Sequence, residues 1–381
     1  MFARMLGKFQ KEHLSSKSEN REIERELNIK CRMSELSNDS KPIDMDAIAE
    51  RMGVSKTTVH YALRNTGRVS AAMRKKILKV AEEAGYRPNA LARSLRIRKT
   101  HTVGVVLNSL NSTFQAHLLE GIDGMAQTHG YSMILSCTNG SPEKEKSLIE
   151  MLLEKGVDGL IVAPADPEAN KDYYMLLLSQ SVKLVFVDRE VSGLNIDVVS
   201  TDNYMGGYLA ARHLIDRGRR RFVFVSTTSR DRRSTSVRER IAGAASAISE
   251  AGFPTAHVVG PDCPDVPVDE EFAYQAFRSF LKRKHSPFDA VFAVHDGLAY
   301  GAIRALSEGG LNVPNEVAVA GFDDQDPSAF FQPPLTTVRQ PVNEIGGEAI
   351  RLLLSRFSDK SGIWTKQRVA LQPKLIVRRS T

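Results

Sequence analysis

From Thr102 onward, short apolar runs alternate with longer stretches whose apolar positions recur every three or four residues. VGVVL (103–107), SMIL (132–135), GLIV (159–162) and LVFV (184–187) are runs of the type that parallel strands show when both faces are buried. FVFV (222–225), AVFAV (290–294) and VAVAG (317–321) repeat the pattern. Between them, residues 114–130 set Leu118, Ile122, Met125 and Ala126 on one helical face, and Ser141-Pro142-Glu143 opens a helix that stops near Gly156. The alternation predicts an α/β core of two doubly wound, parallel-sheet lobes.

Residues 43–86 carry a helical pattern only. Asp44 or Asp46 can cap a helix through Met45, Ile48 and Met52, and Gly53 supplies a turn with positive φ. In GVSKTTVHYAL (53–63), Ser55 caps a second helix whose expected buried pair is Val59 and Leu63. Lys56, Thr57, His60, Tyr61 and Arg64 are left pointing outward. Ser70 caps a third helix with Ile77, Val80, Ala81 and Ala84 inward, and Arg74, Lys75 and Lys79 on the other side. Two helices joined by a tight glycine turn, the second with a polar outer face, describe a helix-turn-helix. Such a second helix enters the major groove. Lys56 can donate to guanine O6 and N7, Thr57 can meet a thymine methyl, and His60 and Tyr61 can reach bases or backbone. Ser55, Thr58 and Arg64 complete the DNA-facing set.

Charge strengthens that reading. The chain is +7 overall, yet residues 41–100 hold 14 Lys/Arg against 5 Asp/Glu, a net of +9. Positive charge gathered on one 60-residue segment points to a polyanion partner. At 42% hydrophobic and 25% charged, the chain as a whole is ordinary for a soluble protein. No run of 18 apolar residues exists, and the first thirty residues have no apolar stretch of signal-peptide length, so a cytoplasmic location is expected. Residues 1–42 are polar and mixed in charge, and read as a disordered extension. Cys31, Cys137 and Cys263 lie far apart without a C-x-x-C pair, which argues against a metal knuckle. No phosphate loop, G-x-S-x-G elbow or H-E-x-x-H motif is present, so neither catalysis nor a cofactor or metal is expected. Two other readings stay open: a small-molecule-binding protein without a DNA role, and a sugar-modifying α/β enzyme.

In open α/β sheets ligands bind beyond the carboxyl ends of the strands. Asn108 follows the first apolar run and Phe114 comes soon after. Asp188-Arg189 follows LVFV, His295-Asp296 follows AVFAV, and Phe322-Asp323-Asp324 follows VAVAG. Polar groups with an aromatic at these ends suit a small hydroxylated or heteroaromatic ligand.

GVSKTTVHYAL and RVSAAMRKKILKVAEEAGYRPNALARSLR resemble the head of the lactose-repressor (LacI/GalR) family of bacterial transcription regulators. VDGLIV, FVDRE, TDNYMGGYLAARHLIDRGRRRFVFV, AVFAVHDGLAYGAIRAL, VPNEVAVAGFDD and PPLTTVRQP resemble its core, in the family's order over residues 43–381. The resemblance implies a homodimer on near-palindromic operator DNA, with a sugar or related metabolite as effector and a core of periplasmic-binding-protein type. It implies a helix-turn-helix domain at 43–86, a hinge at 87–101, and a two-lobed core at 102–381. The first lobe then takes about 102–200 plus 341–370, and the second about 201–340 plus the C-terminal end.

In such a hinge a short helix from Pro88 forms on DNA, with Asn89, Ala92 and Arg96 against the minor groove and Leu95 wedged into a base step. In the core, the resemblance assigns ligand contacts to Arg240 and Asp323, with Asp188, Arg189 and Phe114 beside them. The chain departs from the family at Tyr61, where an operator-contacting arginine is usual, and at His295, where members often carry asparagine. An imidazole there suggests a pH-dependent affinity. Duller roles stay open: Asp188 and Asp323 as caps, Arg189 as an interlobe pair, His295 as a packed polar group, Phe114 as helix core, Arg240 on a solvated face.

Overall fold

The computed structural model describes residues 44–86, 99–110, 113–166, 168–226, 234–254, 257–259, 270–283, 287–359 and 365–381. The extension read at 1–42 lies outside these, as do Asn89, Ala92, Leu95 and Arg96 of the expected hinge. The chain divides into two compact units, Met1–Arg93 and Ser94–Thr381.

Among the described residues the first unit holds three helices, α1 (Met45–Met52), α2 (Lys56–Leu63) and α3 (Ala71–Glu83). Each starts on a side-chain cap: Asp44 accepts from Ala47 N–H, Ser55 from Thr58 N–H, and Ser70 from Met73 N–H. Gly53 takes φ +62 between α1 and α2, where a side chain would be strained. Ile48, Ala49, Val59, Ala62, Ile77 and Ala81 form the small core. Ala62, and not Leu63, is thus the second buried residue of α2. Leu63 is the last residue of that helix and is only half-buried.

The second unit contains two six-stranded sheets. In the first sheet the order is β11-β5-β4-β3-β1-β2, with β1 Thr102–Leu107, β2 Ser132–Cys137, β3 Gly159–Val162, β4 Leu184–Val187, β5 Asp197–Thr201 and β11 Arg368–Leu371. In the second the order is β12-β10-β9-β8-β6-β7, with β6 Phe222–Val225, β7 His257–Val259, β8 Ala290–Ala293, β9 Ala318–Asp323, β10 Thr336–Arg339 and β12 Lys374–Ile376. All pairings are parallel except β10 with β12.

Period two sorts the first sheet's side chains onto two helical layers. Val103, Val105, Leu107, Ile161 and Val185 share a core with α4 (Thr113–Thr128) and α11 (Val342–Ser358). Val106, Leu160, Val162, Leu184 and Phe186 share the opposite one with α5 (Pro142–Glu154) and α6 (Lys171–Ser179). In the second lobe α7 (Asn203–Asp216), α8 (Thr235–Glu250), α9 (Glu270–Lys282) and α10 (Asp296–Glu308) pack around a single apolar cluster. Thr100 and His101, read from sequence as linker, are fastened to this unit: both backbone N–H groups donate to the Asp158 carboxylate at 2.8 and 2.9 Å.

Three connections pass between the lobes: β5 to α7 after Thr201, β10 to α11 after Arg339, and β11 to β12. Beside the first, α7 and α8 touch backbone to backbone. A Cβ on Gly207 would lie 1.9 Å from the Arg240 carbonyl oxygen, so only glycine permits the approach. Gly207→Ala is expected to cost roughly 1–3 kcal/mol and to push Arg240 from its seat. Urea unfolding of the variant checks this, and an unchanged midpoint would contradict it.

Among the described residues no helix is long and apolar enough to cross a membrane, and no group of His, Cys, Asp or Glu is arranged to hold a metal ion.

Candidate functional site

On the head, Lys56, Thr57, Tyr61 and Arg64 are exposed, while Thr58 and His60 are half-buried. Ser55 and Thr58 serve the fold first. The Ser55 hydroxyl caps α2 and lies 2.9 Å from the Thr58 hydroxyl. Lys56 Nζ pairs with Asp46 of α1 at 2.6 Å, both side chains being exposed. An ion pair so exposed is weak and screened by salt, so a phosphate or base edge can compete for the ammonium. Tyr61 is 41% exposed, and the root of its ring packs over Gly67, where an added Cβ would fall 2.7 Å from the ring. Its outer edge stays accessible, and the His60 ring lies 6.0 Å away, tilted.

In the core, Arg240 projects from α8 and is buried, not solvated. Its Nε donates to Asn203 Oδ1 at 2.9 Å and its Nη1 to the Val294 carbonyl at 2.8 Å. Nη1 also reaches Asp323 Oδ1 at 3.4 Å, and the guanidinium lies 3.8 Å from the centre of the Phe322 ring. Asp323 ends β9 at φ +119 and accepts from Gln340 Nε2 at 2.6 Å. Burial raises its pKa, with the Asp188 charge adding to the rise, while Arg240 and Gln340 oppose it.

Beneath it lies a second carboxylate, Asp296, at the start of α10. It accepts from Thr337 Oγ1 (2.5 Å), Ser328 Oγ (2.7 Å) and Gln325 N–H (2.8 Å). Burial, reinforced by the Asp323 charge, holds Asp296 well above the usual carboxylate range.

Asp188 follows β4 with φ +63, and its carboxylate stands 3.5 Å from Arg189 Nε. Arg189 Nη1 reaches the Ala165 carbonyl at 3.5 Å. Asn108, at the end of β1, accepts from Thr138 Oγ1 at 3.3 Å. Phe114 is packed against the first-lobe core and also lines a cavity of about 410 Å³ with His117, Asp323, Arg339 and Gln340. The structure therefore brings Arg240, Asp323, Asn203 and Gln340 into one cluster, and Phe114 and Asp323 onto one cavity. The sequence reading missed Asn203 and Gln340. Both flank a lobe crossing, and that position was the only available signal.

His295 departs from expectation. It caps α10, its Nδ1 accepting from Leu298 N–H at 3.4 Å. Burial, with the neighbouring Arg240 charge, holds its pKa down at about 3. A pKa held that low keeps the imidazole neutral near neutral pH and makes it act on stability. The unfolded chain takes up this proton below about pH 6.5 and the folded chain only near 3, so stability present above 6.5 is lost as pH falls. Between pH 7 and 5 the loss approaches about 2 kcal/mol. His295→Asn keeps an acceptor for the cap, and its urea midpoint is expected to fall less over that range than the parent's.

Comparison with known proteins agrees with this architecture. Residues 44–89 match the model for bacterial regulatory proteins of the lacI family, and residues 211–381 match a periplasmic binding protein-like domain. The HTH-type transcriptional repressor PurR of Pasteurella multocida (strain Pm70) is 32% identical over 335 residues, spanning 87% of this chain and 97% of the relative. Among solved structures, the lac repressor dimer bound to operator and the anti-inducer ONPF aligns over 90% of this chain and 99% of its own, at TM-score 0.78 and 25% identity. A complex of the transcriptional regulator CelR with cellobiose covers 89% of this chain and all of its own, at TM-score 0.66 and 27% identity. The chain belongs to the lacI family of bacterial regulatory proteins, with a helix-turn-helix head and a periplasmic-binding-protein-like core.

Proposed function

We propose that the protein is an effector-responsive repressor that binds a near-palindromic operator as a homodimer and senses a small neutral metabolite, a sugar or a related compound, in the interlobe cleft. The observation that carries this reading is the buried Arg240–Asp323 pair at the carboxyl ends of the second-lobe strands, close to two chain crossings. A guanidinium and a carboxylate side by side can grip two neighbouring hydroxyls or a polar ring edge. Asp188, Arg189, Asn108 and Phe114 supply the first-lobe wall, and His295 offers a neutral imidazole. The cellobiose carried by one structural relative favours a sugar.

On the DNA side, Lys56, Thr57, Tyr61 and Arg64 read the major groove, while Ser55, Thr58 and His60 hold the helix and reach backbone. Leu95 is the minor-groove wedge, with Asn89, Ala92 and Arg96 around it. Two-fold symmetry of the protein calls for two half-sites. Binding of effector and operator is reciprocally coupled.

Selection from a randomised duplex library tests the reading. Tyr61→Phe keeps the ring over Gly67 and deletes the hydroxyl. With Thr57→Ala, it is expected to relax preference at one or two half-site positions, each worth about 1–3 kcal/mol of discrimination. Identical selected sites for parent and both variants would remove α2 as the reader.

A further inference from the structure

Arg240 and Asp323 are two links of a closed ring. Thr201 Oγ1 donates to Gln340 Oε1 at 2.5 Å, and Gln340 Nε2 donates to Asp323 Oδ1 at 2.6 Å. Arg240 Nη1 donates to the same Oδ1 at 3.4 Å, and Arg240 Nε donates to Asn203 Oδ1 at 2.9 Å. Asn203 Nδ2 closes the circuit on the Thr201 carbonyl at 3.0 Å. Thr201, Asn203, Arg240 and Gln340 are each at most 6% exposed. The orientation of the Gln340 amide is dictated, because an ionised carboxylate on one side can only accept and the hydroxyl on the other is then left to donate.

The place of this ring in the fold gives it a role. Thr201 is the last residue of β5, after which the chain crosses to the second lobe. Gln340 follows β10 directly, where the chain crosses back. Both crossings are therefore hydrogen-bonded to the pair read above as effector contacts. A buried donor left without an acceptor costs the full desolvation of that group. A ligand hydroxyl that engages Asp323 Oδ1 competes with Gln340 Nε2. Where the hydroxyl takes the lone pair that Nε2 uses, the amide turns, and in turning it gives up the Thr201 hydroxyl.

We propose that Gln340, Thr201 and Asn203 are positioning residues that carry events at Arg240 and Asp323 to the two lobe crossings, so that the intact ring defines one setting of the lobes and the opened ring the other. This rests on the reading of Arg240 and Asp323 as the effector pair.

Two measurements on the full chain test it. The first is a double-mutant cycle in urea with Thr201→Val and Asp323→Asn. The Thr201 hydroxyl that valine removes reaches Asp323 through Gln340 and does not touch it directly, so independent roles give additive midpoint losses. The ring requires the double variant to lose clearly less than the sum. Thr201→Ser, which retains the hydroxyl, is expected to match the parent. The second is the dissociation constant for the genomic DNA fragment that the parent protein retains best. Thr201→Val, Gln340→Met and Asp323→Asn are expected to change it in the same direction, by about 5- to 150-fold, the range of ordinary allosteric coupling. Additive urea losses overturn the ring. Coupled losses with unchanged DNA affinity for Gln340→Met overturn transmission and leave a purely structural circuit. Failure of the parent to retain any fragment contradicts the repressor reading itself, while the urea cycle still decides the ring.

Discussion

Replacing Arg240 with alanine is expected to cost about 3–5 kcal/mol of core stability at pH 8 and to abolish any shift in melting temperature caused by small molecules that shift the parent. The guanidinium satisfies Asn203, the Val294 carbonyl and Asp323, and covers the Phe322 ring. Its removal strands a buried carboxylate and a buried amide together. The loss should shrink toward pH 5. Burial already raises the Asp323 pKa, and removing its cation raises it further, so at low pH the carboxyl is neutral and no longer needs the guanidinium. Arg240→Lys restores charge without the fork and should recover stability better than ligand response. Urea unfolding at the two pH values, with melting curves across a sugar panel that includes cellobiose and ribose, reads both effects. A loss under about 1 kcal/mol with an intact ligand response would contradict the role given to Arg240.

Operator affinity is expected to fall by about 10³- to 10⁵-fold between 50 and 200 mM salt, as for proteins that neutralise 6–10 phosphates. Residues 41–100 carry a net +9, and Arg51, Lys56, Arg64, Arg68, Lys75, Lys76 and Lys79 are all exposed on the head. In the proposed homodimer, two heads on one operator double that supply. Lys56 is the informative single site. Its pairing with Asp46 is exposed at both ends and yields readily to a phosphate or guanine. Lys56→Gln should reduce the slope of log affinity against log salt by about one for each phosphate that the side chain no longer neutralises. Anisotropy titrations of a labelled operator fragment measure the slope, and a flat plot would refute an electrostatic head.

The strands were legible where they are apolar on both faces. VGVVL, GLIV and LVFV have no polar position to disguise them. Strand β5, DVVST, was missed because Asp197 looks like a loop residue. It is fully buried because Arg356, 159 residues away, grips it with two hydrogen bonds of 2.6 and 2.7 Å, and the Gln367 N–H adds a third at 2.8 Å. Strand β10, TTVR, was hidden in the same way, since Thr336 is satisfied by Ser380 and Thr381 at the far end of the chain. Long-range polar partners leave no local period.

On the head, the i, i+4 spacing of Val59 and Leu63 marked the inward face: Leu63, the last residue of its helix, packs against the edge of the core, while Ala62 beside it is the more deeply buried. At the cleft, position at strand ends pointed to Asp188, His295 and Asp323, and resemblance supplied Arg240. The neutral state of His295 could not be read, because it depends on depth and on Arg240, both of which only the fold brings together. Thr201, Asn203 and Gln340 were silent for another reason: crossing residues belong to neither lobe's pattern.

The most direct test of a repressor with a sequence-reading head is capture of sheared genomic DNA from the source organism by the purified full chain, followed by sequencing of the bound fragments. A few sharp peaks, each centred on a near-palindrome, are expected with protein alone or after addition of a small-molecule cell extract. A flat profile under both conditions would contradict the account.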